Sequence, residues 1–161
     1  MVQRLDEGMQ SLAEVIKKTT GKDITNYPGA GAARGMGGGL LAFFNAELKP
    51  GTELLLKAID FSEKIKGADL IITGEGKADQ QTAMGKVPYG ILKEAQKEHI
   101  PVIVLAGSIE NLPELNKAGF KGIFSIAPGP ITLEKAMEPE FAKENITRLV
   151  SQLYSVITSF G

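Results

Sequence analysis

Residues Ala68 to Pro88 read ADLIITGEGKADQQTAMGKVP, and this stretch decides the fold. Leu70 to Thr73 is a short apolar run of strand length that empties into a polar segment bounded by glycines. A helix is expected from about Lys86 to Glu98. Val102 to Ala106 and Ile123 to Ile126 repeat the pattern, each entered from a polar segment and left through Gly, Ser or Pro. Leu112 to Ala118 lies between them as a shorter helix, with Gly119 as its stop. Glu138 to Ser159 supplies a long closing helix whose apolar stripe includes Phe141, Ile146, Leu149, Val150, Leu153 and Ile157. Strands that alternate with helices form a parallel sheet, because parallel neighbours need crossover connections. The expected class is therefore α/β, a small parallel three-stranded sheet with helices on its faces.

Upstream the texture is mainly helical. Leu5, Met9, Leu12, Val15 and Ile16 recur at three- and four-residue intervals before Gly21, which predicts an amphipathic helix from about Arg4 to Thr19. Pro28 to Gly39, PGAGAARGMGGG, is rich in glycine and small residues. Leu40, Leu41, Phe43 and Phe44 then form a helix-like apolar segment ended by Pro50 and Gly51, and Glu53 to Ile59 reads as another helix continuing in broken form to Lys66. No strand here widens the sheet. Three parallel strands have two edges and little protected interior, so the chain is expected to work with more polypeptide, as an obligate partner or as the tail of a longer protein.

Composition narrows the function classes. The chain has 161 residues, a formal net charge of −1 and no cysteine. Scattered charges of both signs predict no nucleic-acid interface and no membrane-binding patch. Without cysteine there is no disulfide framework, thiolate metal site or catalytic thiol, which suits a reducing cytoplasm. Met1 to Gln10 lacks the apolar core of a signal peptide, and the apolar runs are too short to span a bilayer.

Parallel strands bring the segments leaving them, Gly74 to Gly85, Gly107-Ser108 and Ala127 to Pro130, to one edge, where ligands of open α/β sheets bind. The first holds Glu75, Lys77, Asp79, Gln80, Gln81, Thr82 and Lys86. Carboxylates hold a metal or take a proton, lysines offset phosphate charge, and glycines at 74, 76 and 85 let backbone N–H groups approach an anion. Glu75 and Asp79 read equally as loop caps and as Mg²⁺ ligands or a base. Lys86 opens a helix, where a cation opposes the helix dipole and calls for a nearby anion. The segment is not a Walker loop, since Val87 follows Gly85-Lys86 and Gln80 stands where the first glycine belongs. Gly29 and Gly31 match a dinucleotide fingerprint, but Arg34 replaces its third glycine and no strand precedes it. Close packing and ligand binding explain Gly29, Gly31 and Gly35 equally well. The single histidine, His99, lies at the far end of the sheet and reads as structural.

GADLIITGEGKADQQTAMGKVPYGI followed by IPVIVLAGSI resembles the C-terminal part of the glycerate kinase family, which phosphorylates D-glycerate with ATP. PGAGAARGMGGGLLAFFNAELKPG is similar to that family's glycine-rich segment, and GIFSIAPGP with the closing helix is similar to its C-terminus. The resemblance implies a two-domain α/β kinase whose Rossmann-like domain is assembled from N- and C-terminal segments around an inserted domain. Residues 1–66 would end the inserted domain and 67–161 would return to the Rossmann-like one. It also implies ATP and Mg²⁺; from their chemistry and position in the loop, Asp79 would be the base or metal-orienting carboxylate, Glu75 a second acid near the metal, and Lys77 and Lys86 stabilisers of carboxylate or phosphate charge. Gln81 and Thr82 would orient substrate, and the backbone at Gly74, Gly76 and Gly85 would complete the cradle. The family usually carries Gly where Arg34 stands and commonly Arg where Lys77 stands; lysine keeps the charge but loses the two-pronged grip. The family's N-terminal portion is missing from this sequence, so the isolated chain is expected to be inactive. The competing readings are a non-catalytic fragment or homodimer that buries the open sheet edge, and a nucleotide-binding module of another enzyme.

Overall fold

The computed structural model describes residues 2–110 and 112–159. They form two compact units, Met1–Gly51 and Thr52–Gly161.

In the first unit, helix α1 (Val2–Thr20) ends where Gly21 turns left-handed at φ +74° and its N–H donates to the Lys17 carbonyl. Its buried side is Ala13 and Ile16, which meet Ile24 and Ala42 in a small core. Leu5, Leu12 and Val15 are exposed, so the apolar stripe read from the sequence is rotated from the face actually buried. Helix α2 (Ala32–Phe44) carries a kink: Ala33, Arg34 and Gly35 all have positive φ, at 49°, 58° and 91°, before regular helix follows. The glycines after the kink are packed. A Cβ on Gly37 would sit 2.3 Å from the Gly29 carbonyl oxygen, and one on Gly38 would sit 2.9 Å from Ile24. Asn45 ends α2 in the left-handed region, its N–H on the Leu40 carbonyl.

Helix α3 (Gly51–Ala58), in the second unit from Thr52 on, is followed there by the one-turn α4 (Phe61–Lys64). The sheet consists of β1 (Ile71–Ala78), β2 (Val102–Ile109) and β3 (Gly122–Ser125), all parallel and side by side in chain order. Helix α5 (Val87–Lys97), with Pro88 in its first turn, connects β1 to β2, and α6 (Leu112–Ala118) connects β2 to β3. Leu92, Ala95 and Leu115 from these helices pack on Val102, Val104 and Ala106, and Phe120 and Ile65 close that core. Val102, Val104 and Ala106 share that face because successive side chains on β2 alternate between faces. Ile103 and Leu105, on the other face, are buried as well, so β2 is covered on both sides as a central parallel strand should be.

Short α7 (Leu133–Ala136), capped by the Thr132 hydroxyl, leads into α8 (Pro139–Thr158). Asn145 on α8 is buried, its amide donating to the Phe141 carbonyl, and Arg148 reaches the Ile126 carbonyl at 3.4 Å. Ile146 lines an open groove of about 260 Å³ with Ile72, Gly74, Leu105 and Ile126. Among the described residues, β1 pairs with a strand on one side alone, and Ile72 is 45% exposed. No described helix is long and apolar enough to cross a membrane.

Candidate functional site

The segment after the first strand is more ordered than a loop. Pairing with β2 continues past Thr73 through Lys77↔Ser108 and Ala78↔Ile109, so Gly74 to Ala78 belong to β1. Glu75 and Lys77 therefore stand on a strand. The extension depends on glycine at 107, since a Cβ there would lie 2.7 Å from the Gly76 carbonyl oxygen. A 3-10 helix, Gln80–Met84, follows directly, and Gly85 turns the chain at φ +134° into α5.

Asp79 organises that turn. Its Oδ1 accepts from the backbone N–H groups of Gln81 at 2.9 Å and Thr82 at 3.3 Å, while the buried Thr82 hydroxyl accepts from the Asp79 N–H at 3.1 Å. This reciprocal capping box satisfies donors that a helix start leaves unpaired. Burial works to raise the Asp79 pKa, but the Thr82 N–H, the Lys86 charge and the Gln81 N–H outweigh it and leave the carboxyl below its ordinary value. It stays ionised at neutral pH and is a weak base. Its chemistry suits orienting a cation better than accepting a substrate proton.

The two lysines are paired differently. Lys86 Nζ lies 3.5 Å from the same Asp79 Oδ1 that holds the backbone. Lys77 Nζ lies 2.8 Å from Glu110 Oε1, just beyond β2, and that bond and the Glu110 charge raise the Lys77 pKa. Glu75 bonds no cation within the described residues; its Oε1 accepts weakly from the Gly76 N–H at 3.3 Å. The edge thus gathers Glu75, Lys77, Asp79, Thr82, Lys86 and Glu110 within β1, the turn after it, the start of α5 and the end of β2. Gln81 is exposed there, contributing its N–H to Asp79. Glu110 went unnoticed in the sequence reading; its only signal was its place two residues beyond Gly107-Ser108.

The site glycines separate by cause. Gly85 is fixed by its backbone angle. Gly76 has no protein atom within 4 Å of an added Cβ and Gly74 has only the Leu105 carbonyl oxygen at 3.9 Å, so nothing in the chain's own packing requires either to be bare. Among the described residues no three His, Cys, Asp or Glu side chains converge as a metal cage. With fewer than three such side chains converging, a cation here would depend on phosphate and water ligands, as Mg²⁺ does.

In the first unit, Gly29 and Gly35 have positive φ, and an added Cβ would meet Leu48 at 3.3 Å and Met9 at 2.5 Å respectively. Gly31 has neither constraint. It borders an open groove of about 640 Å³ between α1 and the start of α2, where Gln10, Lys17 and Asn26 are among the polar side chains. His99 sits in the turn before β2 at φ 59°, its Nδ1 3.2 Å from the Gln96 carbonyl oxygen.

Comparison with known proteins places these features in one family. The model of the glycerate kinase family matches residues 1–158. Over 157 residues the chain is 41% identical to a glycerate kinase of Bacillus cereus, covering 97% of this chain and 41% of that protein. Over 149 residues it is 42% identical to the glycerate 2-kinase of Escherichia coli K12, covering 92% and 39%. A crystal structure from Salmonella typhimurium LT2 named for glycerate kinase 2 superposes with a TM-score of 0.65 at 34% identity, covering 98% of this chain and 41% of that one. The chain spans about two fifths of the length of these relatives.

Proposed function

Since the chain belongs to the glycerate kinase family, we propose that it is the C-terminal part of a cytoplasmic enzyme that transfers the γ-phosphoryl group of ATP to a hydroxyl of D-glycerate. The observation that carries this reading is the gathering of two lysines and three carboxylates beside the bare backbone of Gly74 and Gly76 at the carboxyl edge of a parallel sheet. In the transfer, the substrate hydroxyl oxygen bonds to the γ-phosphorus, the bond to the ADP oxygen breaks with its electron pair left on ADP, and the hydroxyl proton passes to Asp79 or to water. Such a reaction asks the protein chiefly for position and charge. Lys77 and Lys86 supply positive charge to phosphate or glycerate carboxylate, and the Gly74 and Gly76 backbone leaves room for close approach. Gln81, Thr82 and Gly85 hold the turn that carries Asp79. Mg²⁺, when bound, neutralises phosphate oxygens, and Glu75 and Asp79 are the residues that would hold it. Gly31 is the glycine of the upstream segment best suited to ligand contact. On this reading residues 1–66 end an inserted domain and 67–161 return to a Rossmann-like one; the division follows the family's organisation, although α3 and α4 pack with the sheet unit.

The open edge of β1 favours a covering strand, supplied by the N-terminal segment of the longer enzyme or by a second copy in a non-catalytic homodimer. Assay of the purified 161-residue chain for glycerate-dependent ADP release tests the expected inactivity, and robust turnover overturns it. Within a full-length enzyme carrying this sequence, Asp79→Asn should lower turnover about a hundredfold or more if Asp79 takes the substrate proton; an unchanged rate removes Asp79 from the mechanism. A stable dimer of this chain, together with no turnover in that full-length enzyme under any metal condition, supports the non-catalytic reading instead.

A further inference from the structure

We propose that Glu110 is a built-in competitor for the anion that Lys77 receives, so that this carboxylate sets how tightly the site takes phosphate or carboxylate groups. The inference rests on the reading of Lys77 as an anion-binding residue. Lys77 pairs in register with Ser108, and alternation puts residues 108 and 110 on the face that Lys77 shares. The Glu110 N–H is tied to the Ala78 carbonyl at 2.7 Å, which fixes its backbone beside the end of β1. Its carboxylate then meets the Lys77 ammonium at 2.8 Å, the place where a bound anion would sit.

Glu110 differs from the edge's other paired carboxylate in what else holds it. Asp79 is locked by two backbone N–H groups, so its 3.5 Å contact with Lys86 follows from the turn and does not loosen alone. The Glu110 side chain has no hydrogen bond besides the one to Lys77 among the described residues, and both partners are about half exposed. A pair of that kind is weak. An incoming anion displaces Glu110 by side-chain rotation, with no movement of either strand, and the affinity it loses is the strength of the pair. Because the pair is exposed, that strength corresponds to roughly a two- to fivefold change in affinity.

Titration of the ¹⁵N-labelled chain with inorganic phosphate, followed by the amide signals of Gly76, Lys77 and Gly85, tests this. Glu110→Gln should tighten phosphate binding about two- to fivefold, and the Lys77→Met, Glu110→Gln double variant should bind no better than Lys77→Met alone. Unchanged amide signals in α5 and β2 confirm that the variants fold. Glu110→Gln that binds equally or more weakly than the parent, while Lys77→Met still weakens binding, overturns the competitor and leaves the role of Lys77 standing. An equal gain from Glu110→Gln with and without Lys77 also overturns it, since the effect is then a general field. Lys77→Met binding as tightly as the parent removes the anion role itself, and with it the inference; no response in the parent or in Glu110→Gln does the same.

Discussion

Replacing Arg34 by glycine should make the first unit more stable, although it deletes a long charged side chain. Arg34 lies in the kink of α2 at φ 58°, ψ 42°, flanked by Ala33 and Gly35, which are also left-handed. An L-residue with a Cβ spends about 1–2 kcal/mol to sit there. Glycine removes that cost but frees the unfolded chain, which takes back about 0.5–1 kcal/mol. The Arg34 side chain is exposed and makes no hydrogen bond or ion pair among those described, so little is lost with it. The net expectation is a gain of about 0.5–1 kcal/mol. Arg34→Ala is the control: it keeps the Cβ and the strain, and should change stability by less than about 0.5 kcal/mol. Urea titration followed by the amide signals of the buried Gly37 and Gly38 reads this unit directly. If Arg34→Gly unfolds at lower urea than the parent, the left-handed strain is not stored where the structure puts it.

Gly107→Ala should destabilise the second unit by about 1–3 kcal/mol, because the new methyl meets backbone at Gly76 and not a movable side chain; a denaturation midpoint equal to the parent's would refute the close approach of β1 and β2. Thr82→Val, which keeps shape but leaves the Asp79 N–H without its partner, should cost about 1–2 kcal/mol, measured in the same unfolding experiment; no loss would mean that the capping box is idle. The Lys17 hydrogen bond, with help from Thr25, holds the Asp23 carboxyl at about 2, below its ordinary 3.8. A depressed carboxylate adds stability above its unfolded value near 3.8 that fades as pH falls towards 2. Lys17→Met should therefore raise the Asp23 pKa while the Thr25 N–H keeps it under 3.8, as read by carboxyl ¹³C shifts against pH; a pKa that stays near 2 would refute the role of the ion pair.

The alternation of strands and helices was legible because β2 is buried on both faces and its neighbours carry short apolar runs, a pattern set by burial alone. The length of β1 was not. Gly74 and Gly76 were read as part of the segment leaving the strand, yet pairing resumes at Lys77 and Ala78 beyond them, and the close approach there makes Gly107 the position that must be bare. Glu75 and Lys77 were singled out for their chemistry and placed in a loop, whereas they stand on β1. In α1 the periodicity gave a helix but not its facing: Ala13 lies inward while Leu12 and Val15 lie out, a choice made by the partners Ile24 and Ala42 far along the chain. The Arg34 kink and the Lys77–Glu110 pair were invisible for a related reason. Each depends on backbone or side-chain geometry between residues that one-dimensional spacing does not join.

The adjacency of β1, β2 and β3 in chain order has a consequence for how the molecule is made. Each strand pairs with the one translated just before it, Ile71 with Val102 and Ile103 with Gly122, so no closing loop exceeds the span of a single crossover. As the polypeptide leaves the ribosome, β1 and α5 are already outside when β2 emerges, and β2 is in place to receive β3. The sheet grows in the direction of synthesis, and its assembly needs no strand to wait for a distant partner downstream.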